Sequence, residues 1–396
     1  MSNGFDCVIT GVGVVNPAGC DADTFWASLL AGRQCFSAHQ VFADEQPEVV
    51  GMVADAELAH GIGNRQLKRL DRFVLLATAA AKQAIRSAGL DLDAMDRRRV
   101  GIAIGNSTGG WSYVEPQLYP LYGRGDLAAI NPYVATAWFP TAPQGEISIA
   151  LGLGGFSKTI AADHLSAGFA LHQAAFAIAD GKIDVAVVCG AEAPLTPLVY
   201  NSCIQYGLIS PTATHRPFRP GSDGSVLAEG AAALIVERAG HAMRRGAAPR
   251  AVLRGLHLGD GVAATLRGCV RDAPRGIDYV VLDGRARPDA DAAENAALTA
   301  LDHQDVMVSA PSSAYGDTLG AAMATNLVTA CLAISHQTAP PTALPADGTS
   351  PGSDDLPAPA PVGRHLTEPE PRPIRCVAVN GSDNHGQAMS VLLAAS

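Results

Sequence analysis

The stretch at residues 8–33, "VITGVGVVNPAGCDADTFWASLLAGR", decides the fold class, because a strand pattern in it is followed at once by a helix pattern. Its first residues form a β-branched run that ends at Gly11 and Gly13, which predicts a short buried strand. Asp21 then stands where a helix N-cap is expected, and Gly32 stands where that helix stops. The stretch therefore predicts one β–α unit.

The same alternation continues along the chain. Residues 71–89, "DRFVLLATAAAKQAIRSAG", predict a helix that closes at Gly89, and residues 100–110, "VGIAIGNSTGG", predict a buried strand that leaves into a glycine turn. Strands that alternate with helices indicate α/β layering with largely parallel sheets. We interpret the stretch 340–373, rich in Pro, Asp and Ala, as a surface loop.

Composition narrows the class of protein. The chain has 396 residues, 48% of them hydrophobic and 17% charged, which is too long for one ordinary single-core domain. Its net charge is −10 and it has no run of Lys and Arg, so nucleic acid is not expected as a partner. The eight scattered cysteines contain no CxxC pair, which favours reduced thiols in the cytoplasm. No signal peptide or membrane span is predicted, so we expect no membrane partner.

Three stretches, in order, resemble the β-ketoacyl synthases. They are the opening stretch, residues 216–238 ("RPFRPGSDGSVLAEGAAALIVER") and residues 309–334 ("SAPSSAYGDTLGAAMATNLVTACLAI"). The resemblance covers nearly the whole chain. It implies an α/β thiolase fold, in which two similar βαβαβαββ halves stack into a five-layer αβαβα sandwich. We place the N-terminal half at residues 1–240 and the C-terminal half at residues 241–396.

The resemblance also shows what this chain lacks. Condensing members carry the acyl chain on a Cys at a helix N-terminus, and two His hydrogen-bond the carbonyl of the malonyl unit. By position, the Cys falls on His164 and the two His fall on Asp283 and Asp317, while an upstream Lys falls on Ser312. An acyl-imidazole is hydrolytically labile, and ionised carboxylates repel an enolate. We therefore predict that the chain has no condensing activity of its own, and we assign no catalytic residue.

A narrower resemblance joins residues 133–155, "YVATAWFPTAPQGEISIALGLGG", to the chain length factors, the non-condensing partner subunits of type II polyketide synthases. The specific parts are the Ala-Trp-Phe run, with Trp138 and Phe139, and the Gly-Glu-Ile-Ser-Ile run, which we predict as a strand. Asp163 fits the acidic residue common before the Cys position, whereas His164 departs from the Gln often found there. The resemblance implies a Cys-bearing ketosynthase, an acyl carrier protein and a polyketide acyl chain as partners, with no cofactor.

The same resemblance implies a tunnel wall in this chain. Trp111, Val114 and Leu118 stand at i, i+3 and i+7 of a predicted helix, so they share one face, and Pro116 is expected to limit that helix. In chain length factors the matching positions line the tunnel into which the partner's growing chain extends. The alternative interpretation is that these three residues are ordinary core residues of an interface.

Residues 159–175, "TIAADHLSAGFALHQAA", predict a strand, a sharp turn and a helix, with His164 in the turn. One interpretation is that His164 fills a disused pocket and pairs with Asp283 or Asp317. Another is a repurposed His-Asp-Asp site that acts on a carrier-bound acyl chain, with the histidine pKa raised by the two carboxylates. Metal binding by the three groups is a more remote alternative, and a pure scaffold is a further one.

One more segment belongs to the predicted site. The family's glycine-rich loop near the C-terminus corresponds to residues 381–387, "GSDNHGQ", and places His385 near the old cavity. Taken together, the residues predict a non-condensing subunit for type II polyketide or polyene biosynthesis that shapes an acyl tunnel.

Overall fold

The structure, a computed structural model, describes residues 5–59, 63–301, 305–343 and 362–396. Its strands are β1 (Cys7–Val15), β2 (Ser37–His39), β3 (Glu48–Val50), β4 (Val100–Gly105), β5 (Ser157–Ile160), β6 (Val185–Glu192), β7 (Gly230–Arg238), β8 (Ala251–Asp260), β9 (Tyr279–Val281), β10 (Met307–Ser309), β11 (Thr338–Ala339), β12 (Arg364–His365), β13 (Glu370–Pro371), β14 (Cys376–Ser382) and β15 (Gln387–Ala394).

The α-helices of the described residues are α1 (Ala22–Leu30), α2 (Asp55–Ala59), α3 (Asn64–Arg69), α4 (Arg72–Ser87), α5 (Trp111–Arg124), α6 (Val134–Ala137), α7 (Ala142–Leu151), α8 (Ser166–Ala179), α9 (Pro197–Gln205), α10 (Ala239–Arg244), α11 (Val262–Asp272), α12 (Pro288–Ala297), α13 (Ser312–Tyr315) and α14 (Ala322–His336). The predicted N-cap at Asp21 is confirmed, and the structure adds a second N-cap at Asp71. The side chain of Asp21 accepts a hydrogen bond from Thr24 N at the start of α1, and that of Asp71 accepts one from Phe73 N at the start of α4.

The main sheet repeats one strand order in its two halves. The first half runs β5-β4-β6-β7-β1 and the second runs β10-β9-β14-β15-β8, with β12 added at the outer edge. The halves meet where β1 pairs antiparallel with β8, Val8 opposite Val252 and Ile9 opposite Ala251. The repeat confirms the predicted pair of βαβαβαββ halves. The division at residue 240 falls within α10 and stays a prediction.

Helices fill the space between and around the two halves. The main core cluster joins α8 and α14 to the inner faces of both halves, and includes Leu171, Val188, Leu327 and Val379. A second cluster packs α4 on the outer face of the first half, and a third packs α11 on the outer face of the second. Five layers result, as predicted. The segment Leu319–His336 is long and apolar enough to span a membrane, but 83% of it is buried inside the fold, so we assign it as a core helix.

The glycines of the opening strand serve a different purpose from the predicted one. Strand β1 does not end at Gly11 and Gly13 but runs through them to Val15. A Cβ at Gly11 would lie 2.2 Å from Ala84 O, and a Cβ at Gly13 would lie 2.2 Å from Ala80 O. The glycines therefore allow α4 to pack closely against the strand.

The prediction of largely parallel sheets is wrong for the strands nearest the junction. In each half the three strands farthest from the junction are parallel to one another. The two strands nearest the junction each run antiparallel to their neighbours in the sheet. The connection explains one case. Strands β14 and β15 are joined by the short turn at residues 383–386, and a turn of that length connects only antiparallel neighbours.

Two segments near the glycine turn also differ from expectation. The Gly-Glu-Ile-Ser-Ile run lies inside α7 and is not a strand, because Pro143 in the first turn and Gly152 at φ +64° set the two ends of a helix. Helix α5 is not limited by Pro116 but continues to Arg124 and stops at Gly125. Pro116 and Pro120 both lie inside the helix and each lacks a backbone N–H, but the loss of these two donors does not end the helix.

The loop interpretation of residues 340–373 is partly wrong. Strand β12 pairs with β10 and extends the main sheet, and β13 pairs with β11. Residues 344–361 of this stretch lie outside the described residues.

Candidate functional site

A tight turn presents His164 at the start of α8. Strand β5 ends at Ile160, and Asp163 takes a left-handed backbone conformation, φ +51°. The hydroxyls of Ser166 and Ser107 both donate to Asp163 O, at 2.6 and 2.9 Å. These bonds hold the turn that the sequence predicted and fix the direction of the His164 side chain.

Both ring nitrogens of His164 are engaged by carboxylates. Nδ1 lies 2.8 Å from Asp163 Oδ1, and Nε2 lies 3.0 Å from each of the two Asp317 side-chain oxygens. His164 is only 2% exposed and Asp317 is also buried. The imidazole is therefore clamped between two acids, with no ring nitrogen left for another molecule.

The clamp decides the charge of the imidazole. Burial and the positive charge of Arg285 lower the pKa of His164, but Asp317 and Asp163 overcome both and raise it to about 9. Burial raises the pKa of the Asp317 carboxyl, yet His164 and Arg285 together hold it well below its usual range. The buried centre is thus a cationic imidazole between two carboxylates.

Asp283 lies nearby but is not bonded to His164. Its Oδ2 accepts hydrogen bonds from Ser382 N at 3.0 Å and from Ser382 Oγ at 2.9 Å. Burial raises the pKa of Asp283. The sequence predicts that His164 pairs with Asp283 or Asp317 and that both carboxylates raise its pKa. In the structure Asp317 is one partner, and the second carboxylate on the imidazole is Asp163 in place of Asp283.

The loop at residues 381–387 closes over this centre. Asn384 donates to Asp163 Oδ2 from its backbone N, at 3.0 Å, and from Nδ2, at 2.7 Å. The Asn384 side-chain oxygen accepts from the guanidinium groups of Arg285 and Arg287. His385, which was expected near the cavity, is exposed in the turn.

Sequence reasoning missed Arg285, Arg287 and Asn384. The arginines stand directly after Asp283 in "VLDGRARP", and the signal that could have found Arg285 is charge balance. Three acids brought to one buried place need more positive charge than one histidine supplies. Asn384 gives no such signal, because its partners are distant in sequence.

Other residues around the centre have structural partners. Ser312 Oγ donates to Gly284 O at 2.7 Å, and Glu294 accepts from Asp283 N at 3.0 Å. Glu229 accepts from Val53 N at 2.8 Å and binds the Arg72 guanidinium. Within the described ranges no group of three His, Cys, Asp or Glu side chains is placed to hold a metal ion.

A cysteine from another element does not take the place of the missing nucleophile. Cys203 on α9 lies close enough for Asp317, Glu192 and Asp163 to influence it, but burial is the main reason that its pKa rises to about 12. A thiol with that pKa holds a negligible fraction of thiolate at neutral pH.

The predicted tunnel residues fall on two neighbouring surfaces. Trp111 and Val114 lie on α5, where Trp111 packs against a small apolar cluster that includes Leu319, and Leu118 is half-buried on the same helix. Trp138 and Phe139 are 40% and 47% exposed, with ring centroids 4.8 Å apart. The two surfaces meet where the backbone of Gly110 donates to Trp138 O at 3.1 Å.

The raised pKa of His164 predicts a pH dependence of stability. The folded pKa of about 9 lies above the usual value of 6.5, so this contribution is full below pH 6.5 and is lost as pH rises through 9. We expect the free energy of unfolding of the native chain, relative to that of His164→Leu, to fall by about 3 kcal/mol between pH 6.5 and 9.5. Urea unfolding at several pH values measures this, and two parallel curves would contradict it.

Comparison with known proteins places this site in a family. Residues 5–242 match the model of the β-ketoacyl synthase N-terminal domain, and residues 255–344 match that of the C-terminal domain. A similar relative is "Putative polyketide beta-ketoacyl synthase 2" of Streptomyces halstedii. It is 33% identical over 365 residues, which cover 85% of this chain and 86% of that protein.

Two solved structures are similar over nearly the whole chain. "The ishigamide ketosynthase/chain length factor" is 26% identical with a TM-score of 0.85, covering 98% of this chain and 99% of that one. A type II polyketide acyl-carrier protein in complex with its ketosynthase bound to the hexaketide is 23% identical with a TM-score of 0.84, covering 100% of both chains. The second likeness shows the thiolase fold alone. With both family models matched, the chain belongs to the β-ketoacyl synthase family.

Proposed function

We propose that this chain is a chain length factor, a non-condensing subunit that pairs with a Cys-bearing ketosynthase in type II polyketide or polyene biosynthesis. The observation that carries the proposal is the state of His164. It stands at the position of the nucleophile, is cationic, and has both ring nitrogens bound to carboxylates. Such a group neither holds an acyl thioester nor takes up a proton.

An exposed apolar surface supports the pairing. Large apolar side chains lie exposed along α5 to α7 and the segments between them, and Ile149 is 80% exposed. The set in this region is Tyr119, Tyr122, Leu127, Tyr133, Trp138, Phe139 and Ile149. Apolar patches of this kind mark protein interfaces. One of the similar structures is described as a ketosynthase/chain length factor, and that description names the kind of partner we propose.

The free state of the cysteines is consistent with a reducing compartment. All eight cysteines are free in the structure, and Cys7, Cys189, Cys203, Cys269 and Cys331 are buried. Free buried thiols are usual in cytoplasmic proteins, where we place this subunit and its acyl carrier protein.

The repurposed-enzyme hypothesis has less support. A general acid or base needs an atom within hydrogen-bond reach of substrate. His164 offers none while Asp163 and Asp317 hold it, and Asn384 covers Asp163 from the outer side.

We expect no condensing activity from the chain alone, and we expect none from His164→Cys. The cysteine variant restores the thiol but leaves Asp283 and Asp317 where donors to an enolate are needed. Incubation with malonyl-loaded carrier protein and an acyl starter, followed by mass analysis of the carrier protein, tests both. A β-ketoacyl product from the native chain, lost in His164→Ala, would contradict the proposal.

We also expect Trp111 to limit product length in the reconstituted pair. Its indole packs against the cluster between α5 and Leu319, on the same helix face as Val114. Trp111→Ala removes bulk that a growing chain meets only at a cost of about 1–3 kcal/mol. The variant pair should make longer products, read by mass spectrometry. Leu195→Ala, on the same cluster but off α5, is the control and should leave length unchanged. Unchanged length in a properly paired Trp111→Ala complex excludes this residue.

A further inference from the structure

A cavity of about 810 Å³ lies away from the His164 centre, where the end of α4, the loop after α10 and the end of α14 come together. Three arginines line it, Arg86, Arg245 and Arg250, with the hydroxyl-bearing residues Ser87 and Ser335 beside them. The chain is acidic overall, and Arg86 is far in sequence from Arg245 and Arg250, which lie close together in the loop after α10. The fold thus gathers positive charge that no sequence run predicts.

The three guanidinium groups are not equally neutralised. Arg245 is paired with the buried Glu237, at 2.9 Å from Nε to Oε2. Arg86 is exposed and makes no ion pair with the described residues. Arg250 donates from Nη2 to Ser87 Oγ at 3.0 Å, but its Nε is buried without an acceptor. A buried donor left unsatisfied is costly, so Arg250 is poised for an acceptor that enters the cavity.

The residues that line the cavity indicate which kind of hydrogen-bond acceptor fits it. No Asp or Glu side chain lines the cavity. The carboxylate in its lining is that of the terminal residue Ser396, and among the described residues neither Arg86 nor Arg250 forms an ion pair with it. Two positive charges match one dianion better than one carboxylate, and guanidinium forks match the oxygens of a phosphoryl group. Pro249 and Ile334 add apolar wall beside the arginines.

We propose that this cavity binds a phosphate monoester, with the phosphoryl group on Arg86 and Arg250 and the organic part against Pro249 and Ile334. The site is separate from the His164 centre and does not depend on the proposed chain-length role.

Isothermal titration of the full chain with phenyl phosphate, inorganic phosphate and benzoate tests the site. Phenyl phosphate should bind most tightly, and inorganic phosphate should bind more weakly because it lacks the apolar part. Benzoate, which carries the same ring and a single charge, should bind weakest of the three. If inorganic phosphate binds as tightly as phenyl phosphate, the monoester assignment is overturned in favour of a simple phosphate site.

Variants separate the site from general charge. Arg250→Gln and Arg86→Gln should each weaken phenyl phosphate binding about tenfold. Arg244→Gln makes the same charge change on α10, outside the cavity lining, and should leave affinity within about twofold. Arg86 is exposed, so its variant is expected to fold even if Arg250→Gln does not. No heat with the native chain, or an equal loss in Arg244→Gln, overturns the proposal.

Discussion

Trp138→Glu combined with Phe139→Glu is expected to prevent the chain from co-purifying with its Cys-bearing ketosynthase. Both rings are about half exposed and pack on each other, so they form an aromatic pair within the exposed apolar surface. Buried aromatic anchors at an interface contribute about 2–4 kcal/mol each, and two carboxylates there would also be desolvated. We expect affinity to fall by more than about 100-fold.

The fold of this variant should survive, because the contact of this segment with Gly110 uses the backbone oxygen of Trp138. Met243→Glu supplies the matched control. Met243 is 76% exposed on α10, away from the surface at α5 to α7, and its variant should pair normally. Size-exclusion chromatography of co-expressed pairs measures both. A double variant that pairs as tightly as the native chain would remove this surface from the interface.

His164→Leu is expected to destabilise the chain by about 3–5 kcal/mol, measured by urea unfolding at pH 6.5. Leucine fills much of the same volume but leaves the buried Asp317 carboxylate without its cation, and leaves Asp163 with Asn384 alone. The loss arises from an uncompensated buried charge, so adding Asp317→Asn to His164→Leu should recover part of it.

His172→Leu is the control for that experiment. It makes the same substitution on α8, the helix that follows His164, at a half-buried imidazole whose Nδ1 is buried without a hydrogen-bond partner and which packs against Phe176. We expect a change within about 0.5 kcal/mol. Equal losses in the two variants would mean that the ion pairs of His164 contribute nothing specific.

Local signals predicted the elements that depend on neighbouring residues. The N-cap at Asp21, the helix end at Gly89 and the turn at Asp163 could all be identified from a few adjacent positions. Gly11 and Gly13 misled the prediction, because a strand-ending glycine and a glycine that admits a helix backbone look the same in one sequence.

The closed centre could not be predicted for a different reason. Asp163 and Asn384 are 221 positions apart, and His164 and Asp317 are 153 apart, so their pairing depends on how the two halves stack. The resemblance placed His164, Asp283 and Asp317 in one region, but it did not specify which acid binds the imidazole. The arginine-lined cavity likewise appears only when β1, α4 and α14 are assembled.

One measurement tests the central claim most directly. The chain and its Cys-bearing ketosynthase are co-expressed and purified as a pair. The pair is incubated with malonyl-loaded carrier protein and an acyl starter, and the carrier-bound products are identified by mass spectrometry. A second pair carries alanine in place of the partner's nucleophilic cysteine. We predict extended products from the first pair and none from the second, since every condensation uses the partner's thiol. Products from the second pair, or from this chain alone, would contradict the account.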